Sequence, residues 1–284
     1  MRIVTKKVGN KRYFYLKHSK RKGDRIITKE KYLGAEIPVD IEEISSKFKK
    51  EVGLGLNKKL EAIKKNFQNE WKRIPESAKK RELEEISIAF TYNTNAIEGS
   101  TITLAETREI VHDKISPNKS LRDVRETEAH SEIFLAMLSK KEEITNALLL
   151  RWHEEIFGMT KSDIAGKFRD YLVRVGPYLA PDWQEVKKMM NELISFISNN
   201  KHMNSVELSA RAHYKFEKVH PFGDGNGRIG RLLINHILWH SGHPMLIIEY
   251  KKRKSYYRAL QGDEQRFVSY FMRRYLTVHK KRYL

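Results

Sequence analysis

Residues 220–231 read His-Pro-Phe-Gly-Asp-Gly-Asn-Gly-Arg-Ile-Gly-Arg, which sets a histidine, an acid, an amide and two arginines among glycines. Leu208, Ala212, Phe216 and Val219 before it recur at helical spacing, and so do Ile229, Leu232, Leu233, His236 and Ile237 after it. The stretch is therefore a loop that ends at the N-terminus of a second helix. There the first backbone N–H groups lack intrahelical partners, and the aligned peptide dipoles favour an anion. Gly225 and Gly227 let the chain turn sharply and approach a ligand with no Cβ in the way. Arg228 and Arg231 share a face turned away from the apolar stripe, as a clamp on a polyphosphate would. Asp224 is placed to hold a divalent cation between phosphates, and His220 to act as base or nucleophile. A Walker A loop is absent, since no Gly-Lys-Ser/Thr follows the glycines, and the acidic ladder of an EF-hand is missing.

The elements that must position this loop are mostly helices. Leu60, Ile63, Phe67, Trp71 and Ile74 form one stripe, which Pro75 stops. Leu83, Ile86, Phe90, Asn93 and Ile97 form the next, followed by helical segments near 104–112, 121–139 and 143–158. Trp183, Val186, Met190, Leu193 and Ile197 mark a helix over 183–198, and segments 252–262 and 265–279 close the chain. His213 falls on the core face of its helix and reads as structural. Residues 11–18 and 25–33, rich in aromatic and branched side chains, flank the turn-like Ser19–Asp24 and read as a β-hairpin. Gly34 to about Gly55 reads as a linker that becomes helical. The fold class is mainly α, with small β appendages.

With 284 residues the chain can hold one large domain with an appendage. The absence of cysteine excludes disulfides, thiolate zinc sites and a cysteine nucleophile. No apolar run is long enough to span a bilayer and the N-terminus lacks a signal-peptide core, so the expected location is cytoplasmic. The net charge of +19 is concentrated at the ends: residues 1–31 hold twelve Lys/Arg against two acids, and residues 250–284 hold eleven against two. Such ends attract nucleic acid or acidic proteins, but solubility alone accounts for them and is the favoured reading.

The loop resembles the signature of Fic proteins, His-x-Phe-x-Asp/Glu-Gly-Asn-Gly-Arg-x-x-Arg, at every specified position. Thr94-Asn95-Ala96-Ile97-Glu98-Gly99 resembles the Fic inhibitory motif Ser/Thr-x-x-x-Glu-Gly/Asn; Thr94 and Glu98 share a helix face, and Gly99 suits a helix C-cap. Val173-Arg174-Val175-Gly176, before Pro177, reads as strand and turn and resembles the Fic flap, a hairpin that accepts a target's backbone as an added strand. The resemblance implies a Fic/Fido helical bundle: a basic N-terminal hairpin over 1–35, a helical region over 36–142 with an inhibitory helix at about 80–99, and a Fido catalytic core over 143–279. Many relatives carry a C-terminal winged helix; with so few residues after this core, none is expected here.

What the resemblance implies about activity is transfer of AMP from ATP to a Ser, Thr or Tyr hydroxyl of a target protein, with release of pyrophosphate. His220 would take the hydroxyl proton, and Asn226 and the Gly225–Gly227 backbone would stabilise the α-phosphate. Asp224 would hold Mg²⁺ or Mn²⁺, Arg228 the β-phosphate and Arg231 the γ-phosphate, with Tyr257 close to the adenine. Glu98 would pair with Arg231 in a bidentate contact and keep the resting enzyme off; it could also serve in removing AMP. The alternatives are a Fic enzyme with another nucleotide donor, or a nucleic-acid-binding regulator carrying a Fic core. Self-modification and a homodimer are left open.

Overall fold

A computed structural model of the chain describes residues 1–22, 25–176 and 178–284; the side chains at 20–27, 46 and 49–54 lie outside that description, as do Gly23 and Asp24 of the expected N-terminal turn and Pro177 of the expected flap turn. The chain divides into two compact units, residues 1–59 and 60–284.

The first unit holds three antiparallel strands in the order β1 (Arg2–Val8), β2 (Lys11–Lys22), β3 (Arg25–Gly34). The expected hairpin is β2 with β3, in a register that sets Tyr15 opposite Tyr32 and Lys17 opposite Glu30. The sheet has one strand more than the sequence reading found. β1 joins β2 through Gly9-Asn10, with Gly9 at φ +60°, a two-residue loop of the kind that suits the twist of a hairpin. Period-two alternation splits β2 between two faces. Leu16 packs with Leu33 and Phe48 in a small core, joined by Phe14. Tyr13 and Tyr15 lie on the other face, their rings 6.0 and 5.2 Å from that of Tyr32.

Helix α1 (Ile41–Arg73) starts well inside the stretch read as a linker. Glu42 and Glu43 in its first turn suit the dipole. Gly53 and Gly55 hide the helix from a propensity reading, since each costs about 1 kcal/mol relative to alanine.

The second unit is a helical bundle around the pair α7 (Ser205–Val219) and α8 (Asn226–His240). Pro75 separates α1 from α2 (Glu76–Ile97), as expected, and α3 (Leu104–Arg108) runs into a wide turn over Glu109–Asp113. Then come α4 (Leu121–Ser139), α5 (Asn146–Phe157), the strand pair β4 (Arg174–Val175) and β5 (Tyr178–Leu179), α6 (Trp183–Asn199), α9 (Arg253–Leu260) and α10 (Glu264–Tyr283). Thr145, Asp182, Asn204 and Asp263 each cap a helix by accepting a backbone N–H of its first turn. The stripes read from spacing are the core: Leu208, Ala212, Phe216 and Val219 of α7 meet Ile229, Leu232, Leu233 and Ile237 of α8, all buried. Helix α8 is buried nearly all round, as the central helix of a bundle should be. Among the described residues no helix is long and apolar enough to cross a membrane.

Candidate active site

Two helix ends and one loop make the site. Helix α7 stops at His220, which stands in the left-handed region at φ 51° while its N–H still bonds Phe216 O at 2.9 Å. Gly225, at φ +77°, caps α8, and a Cβ there would lie 2.4 Å from the Phe157 ring, so only glycine fits. The backbone N–H groups of Asn226, Gly227 and Arg228 occupy the first turn of α8 and form the anticipated nest. The side chain of Asn226 departs from expectation. Its Oδ1 accepts the Phe222 N–H and its Nδ2 donates to Phe222 O, both at 2.8 Å, and the residue is buried. The amide braces the loop, and the backbone N–H of Asn226 stands in the first turn of α8.

His220 sits at the edge of this nest. Burial pushes its pKa below that of an ordinary histidine, although a hydrogen bond to the Glu217 backbone acts the other way, so the ring is a neutral base. The Glu217 carboxyl lies 4.0 Å from Nδ1, and burial, only partly offset by Arg231, pushes that acid up to about 8.

Arg231 is 2% exposed. Its Nη2 donates to Glu98 Oε1 at 2.6 Å and to Thr94 O at 3.2 Å, and its Nε lies 3.4 Å from Thr94 Oγ1. The expected pairing with Glu98 is therefore present, but through one carboxylate oxygen rather than two, because Thr94 takes the other side of the fork. Burial opposes the charged form, but the charge and hydrogen bond of Glu98, with Tyr256 and Glu217 nearby, together outweigh it and hold the guanidinium protonated. Helix α2 ends one residue earlier than the motif suggested: Glu98 is its C-cap, and Gly99 follows at φ +95°. The carboxylate of Glu98 lies against the start of α8, so close that a Cβ on Gly227 would stand 2.1 Å from Oε1. In this structure Glu98 occupies the space into which Gly227 would admit an anion.

Arg228 was expected to point away from the core, yet it is 7% exposed. Its guanidinium stacks 4.2 Å above the Phe157 ring and pairs with Glu126 of α4. Asp224 completes the group: Lys161 Nζ lies 2.6 Å from Oδ2, and the Gly225 N–H bonds Oδ1 at 2.6 Å. Burial raises the Asp224 pKa, but the Lys161 hydrogen bond and the Arg228 and Lys161 charges outweigh it and bring the acid down to about 2. Asn95, Glu98, Glu126, Lys161, Asp224 and Arg228 line a cavity of about 390 Å³.

Tyr257 on α9 reaches the end of α2, where its hydroxyl donates to Ile97 O at 3.1 Å. Its neighbour Tyr256 is buried against His213, Nε2 to hydroxyl 2.7 Å, which makes both structural. The flap is a two-residue ladder, Arg174 opposite Leu179 and Val175 opposite Tyr178, with Gly176 at φ +57° in the turn and Val173 O accepting the Ala180 N–H. Val175 and Leu179 are exposed.

Four positioning residues escaped the sequence reading. Buried Arg169 donates to the carbonyls of His220, Tyr171 and Pro181, and its own N–H bonds Pro221 O, which ties the α7–α8 loop to the segments flanking β4 and β5. His153 accepts the Gly166 N–H at Nδ1 and donates from Nε2 to Asp224 O, while its ring stacks on Phe222 at 4.0 Å. Glu126 and Lys161 are the others. All four act across long sequence separations, and no periodicity marks them.

A model of the Fic/DOC family matches residues 143–238. A Nematostella vectensis protein named Protein adenylyltransferase Fic is 34% identical over 205 residues, covering 68% of this chain and 48% of that protein. The chain spans less than half the length of the curated relatives it matches. Among solved structures, a Fic-1 fragment from C. elegans superposes with a TM-score of 0.68 at 28% identity, over 86% of this chain and 77% of that one. A Fic-domain signalling protein from Bacteroides thetaiotaomicron gives 0.67 at 26% identity, over 79% of this chain and 97% of that one. With the whole signature assembled on the α7–α8 loop and these likenesses on either side of it, the chain belongs to the Fic/DOC family.

Proposed function

We propose that the protein transfers AMP from ATP to a hydroxyl of a target protein. The observation that carries this is the α7–α8 loop, which sets a neutral histidine beside a helix N-terminus whose N-cap residue, Gly225, offers no side-chain cap. His220 takes the proton of the target’s Ser, Thr or Tyr hydroxyl. The oxygen attacks the α-phosphorus as the bond to the bridging α–β oxygen breaks, and pyrophosphate leaves. The first N–H groups of α8 hold the charge that grows on the α-phosphate. Arg228 takes the β-phosphate. Tyr257 is near the adenine, and the pair β4–β5, with Val175 and Leu179 exposed, receives the target backbone.

Asp224 suits a divalent cation in kind: it is ionised, its carboxylate is 48% exposed, and magnesium in phosphate sites asks for one or two carboxylates beside the phosphate oxygens. Such a cation, when bound, would supply neutralisation of phosphate charge. No other acid joins Asp224 in a ready metal cluster among the described residues.

Glu98 is the built-in inhibitor in this reading. It holds Arg231, the residue meant for the γ-phosphate, and its carboxylate fills the space beside Gly227. Activation requires Glu98 to leave. Held close to the nest, the same acid is also placed to activate a water for removing AMP.

The test is incubation of Glu98→Gly with ATP labelled at the α- or the γ-phosphate, with other labelled nucleotides, and with a cell lysate. Label should enter protein from the α-phosphate of ATP only, and more than with the wild-type chain. Label from UTP alone would make this a Fic enzyme of a different donor. Equal labelling by wild type and variant would remove Glu98 as the inhibitor.

A further inference from the structure

Lys161 follows α5, and its side chain is only 8% exposed, a rare state for a lysine. Its ammonium lies 2.6 Å from Asp224 Oδ2, 3.0 Å from Glu126 Oε1 and 4.7 Å from the centre of the Phe157 ring. Thr160, beside it, donates its hydroxyl to Glu126 Oε1 at 2.9 Å and holds that acid in place. Arg228 reaches Asp224 Oδ2 only at 3.5 Å, so the nearest positive charge on this carboxylate is the lysine’s. The acid best placed to take a divalent cation is already occupied by a cation of the chain.

We propose that Lys161 is the resident counter-cation of the phosphate site, neutralising Asp224 in the free protein and taking over part of the charge neutralisation of a bound triphosphate, so that it sets how far nucleotide binding depends on divalent metal. The proposal rests on the ATP reading above and adds a residue to it.

The reasoning is one of local charge. Glu126 and Asp224 carry two negative charges, and Lys161 and Arg228 carry two positive ones, so these four side chains balance one another before a ligand arrives. A metal ion approaching Oδ2 meets an ammonium on the same oxygen and must push it aside. A freed ammonium has three donors and a short distance to travel to a phosphate in the same cavity. Without the lysine, Asp224 would bind metal more readily, while a metal-free triphosphate would face Asp224 and Glu126 with one cation fewer. The second change widens the gap between metal-loaded and metal-free nucleotide binding, and it outweighs the first, which acts the other way where metal binds without nucleotide. By linkage that gap equals the gap in metal affinity with and without nucleotide.

The experiment measures ATP binding to the full chain by calorimetry, once in EDTA and once in excess Mg²⁺, for wild type, Lys161→Met and Lys161→Arg. Wild type should lose no more than about tenfold in affinity when metal is withheld, and Lys161→Met should widen that ratio by about tenfold, within the usual range of coupling energies. Lys161→Arg, which keeps the charge, should stay close to wild type. A Mn²⁺ titration without nucleotide, read by electron paramagnetic resonance, should show tighter binding in Lys161→Met. A lysine that merely braces the fold would lower the melting temperature of Lys161→Met and leave both the ratio and the Mn²⁺ affinity unmoved; that result overturns the proposal. So does a wild-type chain that binds ATP only with metal. If ATP binds in neither condition while Mn²⁺ binding still tightens in Lys161→Met, the ATP reading and the phosphate role of Lys161 fall together, and its competition with metal at Asp224 stands.

Discussion

Arg231 is sealed from solvent, so whichever anion holds it meets little competition from water, and exchanging Glu98 for a phosphate oxygen swaps one charge-assisted bond for another. His220 plays a different part. If, as proposed, its ring serves the target hydroxyl and not the nucleotide, His220→Ala should abolish AMP transfer while ATP still binds, as calorimetry would report. Full transfer by that variant would remove the histidine as base. The ring also fixes the pH dependence. Its pKa is lowered in the fold, so the free base persists to more acidic pH than in an ordinary histidine, and the acid limb of kcat/KM for Glu98→Gly should lie below pH 6.5. A limb above that value would place the titrating group elsewhere.

The α7–α8 loop keeps its shape because neighbouring elements press on it. Gly225 combines a left-handed backbone with the Phe157 ring of α5 at its back. Gly225→Ala should therefore cost about 2–4 kcal/mol in urea unfolding, from left-handed strain plus overpacking; a loss below about 0.5 kcal/mol would mean that α5 yields freely. Helix stripes were readable in the sequence because each helix has one apolar face, and the site loop because its glycines and charges are contiguous. Strand β1 carried a signal that went unused, Gly9-Asn10 between two extended segments. The start of α1 was hidden by its glycines. The burial of Arg228, the bracing role of Asn226 and the network of Arg169, His153, Glu126 and Lys161 had no local signature. They depend on which helix packs behind the loop, and residues 50 to 100 positions apart in sequence decide that.

At the scale of the whole molecule, positive charge gathers in the sheet at the N-terminus and in the last two helices, while Lys161 and Arg228, between them in sequence, are paired with acids. Folding stability is likewise unevenly shared. His220 is one of two residues other than glycine with a positive φ among those described, and a side chain in that conformation costs roughly 1 kcal/mol or more. The comparison of His220→Gly with His220→Ala isolates this strain, since both lack the ring. Glycine should be the more stable of the two by about 1 kcal/mol in urea unfolding, against its usual rank; the usual rank would show the turn to be unstrained. The strain sets a conflict between two kinds of selection. A screen of this chain for stability alone would favour glycine over alanine at position 220 among inactive variants, and only a requirement for activity would keep the histidine in its left-handed corner.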